Sequence, residues 1–339
     1  MRALMLTGDR ASVLTDVPVP RPTDGEALVR ITMSAVCGSD LPHYRKPAAD
    51  LGNRLVTVPG HEAVGVVSAA PASAGSSEAG RRVIVYQHAG CGYCDHCVSG
   101  APMFCADRRT LGNHRGGADA EYTVAPVTGL LPVPDDVSDG LAALIACNFG
   151  TAYSGFRKTG AGVGDRIAVF GLGPVGCCVV ALASASGAEV IAVDPIAGRR
   201  ELAKTLGAAI TIDPADRDPV AEILELTEGR GPEIVIECSA NQRAQEQVMQ
   251  VVRARGTVLL LGANNRMEID PGLHVIRKEL RILGSWVFTL PEYPAILRAA
   301  RRLPALHSLL GEPFRADEAP AAIAAADAGF VGKALIDWS

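Results

Sequence analysis

The stretch AVFGLGPVGCCVV (Ala168–Val180) decides the architecture. An apolar, β-rich run leads into Gly171-Leu172-Gly173-Pro174-Val175-Gly176, and an apolar helical pattern follows. A GxGxxG sequence set between a strand and a helix is a dinucleotide-binding fingerprint. Gly171 permits the tight turn, Gly173 lets the backbone approach a pyrophosphate, and Gly176 lets helix and strand pack closely. The helix N-terminus offers free N–H groups and the positive end of its dipole to the phosphates. Asp194 ends the next apolar run, VIAVDP, about twenty residues on. A carboxylate there accepts both adenosine ribose hydroxyls and repels a 2′-phosphate, which favours NAD over NADP. Arg199 and Arg200 stand near enough to speak for NADP, but the pattern puts them on the following helix.

Working outward, the runs RIAVFGLG, EVIAVDP, AAITIDP, EIVIECSA, GTVLLLGA and LRILGSW alternate with helical stretches. They predict a parallel, doubly wound sheet across 151–288. Residues 1–150 read differently, as short strands (EALVRITMSAVC, AVGVVSAA, RRVIVYQ, AEYTVAP) among turns rich in Gly and Pro. Ala70–Arg81 is small and polar enough to be a surface loop. Past residue 289 the pattern loosens, and the final VGKALIDWS reads as another strand, so 289–339 returns to the β-rich domain. A chain of 339 residues fits two such domains.

Composition removes whole classes of function. The net charge is −5 with no block of five like charges, the wrong balance for a phosphate-tracking nucleic-acid binder. Aromatics make up 4%, too few for base-stacking platforms. The N-terminal MRALMLTGDRASVL has neither the apolar segment nor the cleavage site of a signal peptide, and VGCCVVALASASGA falls short of the ~20 residues a bilayer needs. The expectation is a cytoplasmic protein with no membrane partner. Its nine cysteines are then reduced thiols suited to metal ligation.

Four of them crowd into HAGCGYCDHCVSGAPMFC (His88–Cys105), at Cys91, Cys94, Cys97 and Cys105. Four thiolates saturate a tetrahedral zinc, so the lobe 88–106 predicts a closed, structural site. His96 lies inside the lobe but outside the ligand set. Catalysis needs a second centre, and two segments offer donors. SAVCGSDLPHY carries Cys37, Ser39, Asp40 and His43, and VPGHEAVG carries His61 and Glu62. Either alone has an ordinary structural reading.

Taken together and in this order, CGSD, GHE, the cysteine lobe, GLGPVG and Asp194 resemble the zinc-dependent medium-chain alcohol and polyol dehydrogenases, over essentially the whole chain. The resemblance implies a GroES-like β-rich catalytic domain, a Rossmann domain, two zinc ions per chain and NAD. It makes Cys37 and His61 ligands of the catalytic zinc. The third ligand in this family is a Cys or Glu just before the nucleotide domain, and ALIACNFGTAYSG offers Cys147. Asp40 then orients His61, Glu62 stands behind the zinc, and Ser39 passes the alcohol proton outward. The family's relay histidine falls on Pro42 here, with a histidine one step later. Either His43 takes the role or the relay ends differently. Thr151 and Val175 are placed against the nicotinamide, and Lys333 reaches the pyrophosphate or is a solvated lysine. Relatives pair through the last strand of the nucleotide sheet, here LRILGSW, which implies a homodimer or homotetramer.

For the substrate the signals divide. A Cys/His/Cys set tilts toward simple alcohols. Gln87, His88, Asn113, His114 and Asn148 are polar where the substrate is expected, and such groups suit a hydroxyl-rich ligand. The reading adopted is hydride transfer between NAD(H) and a secondary alcohol or ketone that is polyhydroxylated: a polyol, sugar derivative or (amino)cyclitol. A simple primary or secondary alcohol dehydrogenase is the alternative, and a non-catalytic zinc- and dinucleotide-binding relative is the third. Trp286 either walls the nicotinamide or belongs to the core.

Overall fold

The computed structural model describes residues 1–52, 56–71, 79–263 and 266–339. Residues 72–78 of the expected surface loop lie outside the described residues. The chain divides into two units: Met1–Cys147 with Thr289–Leu297 and Leu310–Ser339, and Asn148–Phe288 with Arg298–Leu309. The tail is therefore shared, because Leu306 and Leu309 bury their side chains in the second unit while the last strand belongs to the first. That division is finer than a single return of 289–339.

The second unit is a six-stranded parallel sheet of β1 (Arg166–Phe170), β2 (Glu189–Val193), β3 (Ile210–Ile212), β4 (Ile234–Glu237), β5 (Thr257–Leu260) and β6 (Arg281–Gly284). Their order is β3-β2-β1-β4-β5-β6. Apolar residues run almost without interruption along β1, β2, β4 and β5 and are buried, because helices cover both faces of such a sheet. The order reverses between β1 and β4, and a crevice opens at the carboxyl ends of the strands at such a switch point. Helices α1 (Pro174–Ala185), α2 (Ala197–Thr205), α3 (Pro219–Leu226) and α4 (Gln242–Val251) form the crossovers. Side chains cap two of them: Asp218 accepts from the Ala221 amide at α3 and Asn241 from the Ala244 amide at α4. At the other end of α4 the Lys278 ammonium donates to the carbonyls of Met249, Gln250 and Val252, satisfying acceptors the helix cannot.

The first unit is built around the long strand Glu26–Ala35, which pairs antiparallel with Ala63–Ala69, Tyr122–Pro126 and the C-terminal Leu335–Asp337. Arg82–Val85 and Leu130–Pro132 extend this sheet on one side and Phe314–Arg315 on the other. Inward residues such as Val29, Ile31, Val67, Val83, Val85 and Ile336 make its core. One consequence positions chemistry. Ser34 is in register with Ala63, so the residues that follow one strand and precede the other, Cys37 and His61, are delivered to the same edge.

Candidate metal centres and dinucleotide site

The sulfurs of Cys91, Cys94, Cys97 and Cys105 lie within 4.8 Å of one another. Backbone amides already point at them, from Cys91 to the Cys105 sulfur and from Cys94 to the Cys91 sulfur, each at 3.4 Å. A Cβ on Gly90 would sit 2.3 Å from the Cys97 sulfur, so the turn needs glycine there. The lobe is tied to the rest of its unit where the Leu290 amide donates to the Gly100 carbonyl at 2.8 Å. His96 is exposed and packs its ring on Phe104 instead. Four thiolates in this arrangement fit zinc and leave no open position.

A second set joins Cys37, His61, Glu62 and Cys147, again with ligand atoms within 4.8 Å. Cys147 comes from the π-helical turn Ile145–Phe149, a local widening that often marks a functional site. Asp40 braces two of the other donors. It accepts the Cys37 amide at 2.9 Å and faces the Nδ1 of His61 at 3.4 Å, which leaves Nε2 for a metal. Burial works against a charged His61, but Asp40 and the Cys37 sulfur outweigh it and raise its pKa well above the usual histidine range. A hydrogen bond from Cys147 pulls the Cys37 thiol well below its ordinary value, and the same bond pushes Cys147 up. Two sulfurs competing for one proton are a donor pair suited to a soft cation, and Cys2His fits zinc with a position to spare.

In the second unit the three fingerprint glycines have three separate reasons. Gly171 adopts φ +88°, and a Cβ there would lie 2.6 Å from that of Ser239. A Cβ on Gly176 would lie 1.9 Å from the Gly171 carbonyl oxygen. Around Gly173 nothing comes within 4 Å, which is the open cradle a pyrophosphate needs. The first turn of α1 has no side-chain cap, so its amides point at that space. Asp194 directly follows β2, its carboxylate accepting the Leu172 and Ile196 amides, each at 2.8 Å.

Comparison with known proteins now bears on this geometry. A family model described as alcohol dehydrogenase GroES-like domain matches residues 23–135, and one described as zinc-binding dehydrogenase matches 174–302. The L-threonine 3-dehydrogenase of Chromobacterium violaceum is 32% identical over 96% of this chain and 96% of its own length. The chain belongs to the zinc-dependent medium-chain dehydrogenases. Among solved structures, alcohol dehydrogenase TADH from Thermus sp. ATN1 superposes with a TM-score of 0.87 at 26% identity, covering 99% of each chain. A candidate zinc-binding dehydrogenase of Sinorhizobium meliloti 1021, bound to NADP, gives 0.84 at 26% identity, covering 99% of this chain and 98% of its own. The chain is an oxidoreductase of the zinc alcohol dehydrogenase type, and its fold is the mixed α/β one expected.

One expectation for this dehydrogenase needs correcting. Lys333 does not extend toward a pyrophosphate, and it is not a solvated lysine. Its side chain is fully buried in the β-rich unit, where the ammonium pairs with the carboxylate of Glu62 and donates to the Val36 carbonyl at 2.8 Å. Glu62 is equally buried, and a carboxylate without water needs a counter-charge. Burial still pushes Glu62 up to about 8, against the pull of Lys333.

The remaining expected residues scatter. Ser39 is exposed and His43 half-buried in the short helix Leu41–Arg45. Gln87 and His88 are both buried. The Nδ1 of His88 meets the Thr110 hydroxyl at 3.2 Å, and burial followed by the charges of Arg108, His61 and His114 lowers His88 to about 3, so the ring is neutral. The Nε2 of Gln87 is buried with no partner among the described residues. Asn113 is exposed, while the ring of His114 accepts the Thr110 amide. Asn148 and Thr151 are buried and Val175 half-buried in the second unit. Trp286 is 44% exposed and no core residue. One residue went unnoticed in the sequence. Asp119 is buried against Gly60, the neighbour of His61, and accepts the Ser34 hydroxyl at 2.7 Å, which in turn accepts the Trp338 indole at 2.9 Å. Nothing in the sequence around it marks this burial, which Asp119 shares with its neighbours Ala118 and Ala120.

Proposed function

We propose that this dehydrogenase moves a hydride between NAD(H) and a secondary alcohol or ketone, and that the substrate carries several hydroxyl groups. Zinc held by Cys37, His61 and Cys147 would supply the Lewis acidity that lowers the alcohol's pKa, and NAD would supply the hydride acceptor. The protein's own residues do the rest. Asp40 fixes the ring of His61 and the amide of Cys37, so the donors keep their geometry without reorganising. Lys333 holds the Glu62 carboxylate behind the set. Ser39, on the exposed turn between Cys37 and Asp40, would carry the alcohol proton to water, with His43 as the next carrier.

The observation that carries the substrate reading is the buried amide of Gln87. In sequence it follows Tyr86, whose hydroxyl pKa is pushed up by burial and the charges of Glu292 and Cys147. It precedes His88, whose ring is kept neutral by burial and the charges of Arg108, His61 and His114. A buried N–H without an acceptor is costly, and a substrate hydroxyl supplies the acceptor. The neutral His88 adds a group that both donates and accepts. The relative named L-threonine 3-dehydrogenase has in threonine a secondary alcohol with a single hydroxyl, which supports the secondary-alcohol part of this reading and leaves the further hydroxyls to Gln87 and His88.

A structural neighbour binds NADP, so the preference for NAD rests on this chain's own side chains. The carboxylate of Asp194, directly after β2, would repel a 2′-phosphate on the adenosine ribose. Arg200 is drawn off by Asp213 at 2.7 Å, and Arg199 lies 3.9 Å from Asp194 itself. We further propose a homodimer or homotetramer joined through β6, whose outer edge pairs with no strand among the described residues and whose Ile282 is 38% exposed. No helix among the described residues is long and apolar enough to cross a membrane.

A screen of NAD⁺ and NADP⁺ reduction over simple alcohols, L-threonine, polyols, sugars and aminocyclitols tests the proposal. A higher kcat/KM for a polyhydroxylated substrate with NAD⁺ is the expected result. Preference for ethanol or 2-propanol would overturn the substrate class, and equal use of NADP⁺ would overturn the role given to Asp194.

A further inference from the structure

Glu237 ends β4 with its carboxylate wholly buried, and no part of the alcohol chemistry uses it. Such a group persists only where hydrogen bonds replace water. One oxygen accepts the Ser239 amide at 2.6 Å, the Ser239 hydroxyl at 2.5 Å and the Ala240 amide at 3.0 Å. The other accepts from the Gln245 side chain of α4 at 3.4 Å.

The turn gathered in this way occupies a particular place. Glu237 is in register with Phe170, the residue before Gly171, across the switch point between β1 and β4. The Cys238 amide donates to the Phe170 carbonyl, and Ser239 packs so closely on Gly171 that no side chain fits between them. On the far side, a Cβ on Gly262 would lie 2.4 Å from both the Glu237 carboxylate and the Ala240 amide nitrogen. Ala240 itself is held at φ +55°, a conformation an alanine does not keep unaided. The turn that this carboxylate gathers after β4 therefore packs directly against the loops that follow β1 and β5.

We infer that Glu237 is a positioning residue for the dinucleotide: it fixes the Cys238–Asn241 turn against the fingerprint loop and so sets cofactor affinity without touching the cofactor. A wall already held in its bound conformation spares the ordering that binding otherwise costs. The inference rests on the dinucleotide reading above.

The test is NADH binding followed by its fluorescence, on the zinc-loaded enzyme. Wild-type protein binds NADH, and Glu237→Gln, which sets the new amide donor against that of Gln245, weakens binding about tenfold. Turnover at saturating cofactor changes by less than about twofold, so KM for NAD rises while kcat holds. Adding Gln245→Glu restores an acceptor facing a donor and recovers most of the affinity, a rescue that general destabilisation would not produce. Should Glu237→Gln not fold, Ser239→Ala removes one of the gathered donors and raises the NADH Kd by about threefold. Unchanged affinity in the variants overturns the inference, as does a loss that the Gln245→Glu exchange fails to recover. Wild-type protein that binds no NADH would instead overturn the dinucleotide reading beneath it.

Discussion

Two buried polar residues of the β-rich unit are in opposite situations. Lys333 is satisfied, and removing it strips the buried Glu62 of its counter-charge. Lys333→Met is expected to cost about 3–5 kcal/mol of stability in urea unfolding, and Glu62→Gln in the same chain to return much of it. Independent, additive losses would contradict the pairing. Gln87 is unsatisfied, so Gln87→Leu is expected to raise stability by about 1 kcal/mol while lowering kcat/KM for a hydroxyl-rich substrate. A melting temperature that stays put would mean the amide has a partner. The sequence made one of these residues legible and hid the other. Gln87 adjoins the cysteine lobe, where a polar residue stands out against expectation. Lys333 looks like any lysine near a chain end, because its partner is fixed by a strand pairing between distant segments and no local pattern records it. Asp119 and Glu237 were hidden in the same way: burial decides their roles, and an acidic residue in a bend or at the end of a strand reads from sequence as solvated.

At the scale of elements the apolar runs were enough to locate all six strands of the nucleotide sheet. Strands β1, β2, β4 and β5, buried on both faces, need near-continuous hydrophobic residues, whereas the edge strand β6 is largely exposed. The short pieces of the first unit were harder. A π-helical turn such as Ile145–Phe149 has no sequence signature, and Cys147 was found by family position alone. The start of the long strand carries its own test. Burial alone would raise the Glu26 carboxyl, but the Thr23 hydroxyl and amide and the Arg115 guanidinium outweigh it and hold its pKa below the usual range. A carboxyl lower in the folded than the unfolded chain stabilises above its unfolded pKa and loses that contribution as pH falls through the folded one. The stability difference between wild type and Glu26→Gln is therefore expected to be constant near neutral pH and to shrink below about pH 4.5. A difference that grows as the solution is acidified would reverse the assignment.

For the whole molecule the two zinc sets predict staged behaviour. Four thiolates close the lobe site, whereas Cys37, His61 and Cys147 leave a position through which a chelator can attack. Treatment with a chelating dye is expected to release one zinc per chain with loss of activity and little change in circular dichroism. The second zinc leaves more slowly, and its loss lowers the melting temperature. Release of both at one rate would show that the sets do not differ in this way. The order of segments along the chain has a consequence for biosynthesis. Every strand of the nucleotide sheet lies between Arg166 and Gly284, so that sheet can form while translation continues. The sheet begun at Glu26 must wait for Leu335–Asp337, and Glu62 receives its ammonium only when Lys333 has left the ribosome. The nascent β-rich half thus spends most of its synthesis with unpaired thiols and an open strand edge, and a stalled or truncated chain would present both to chaperones and proteases.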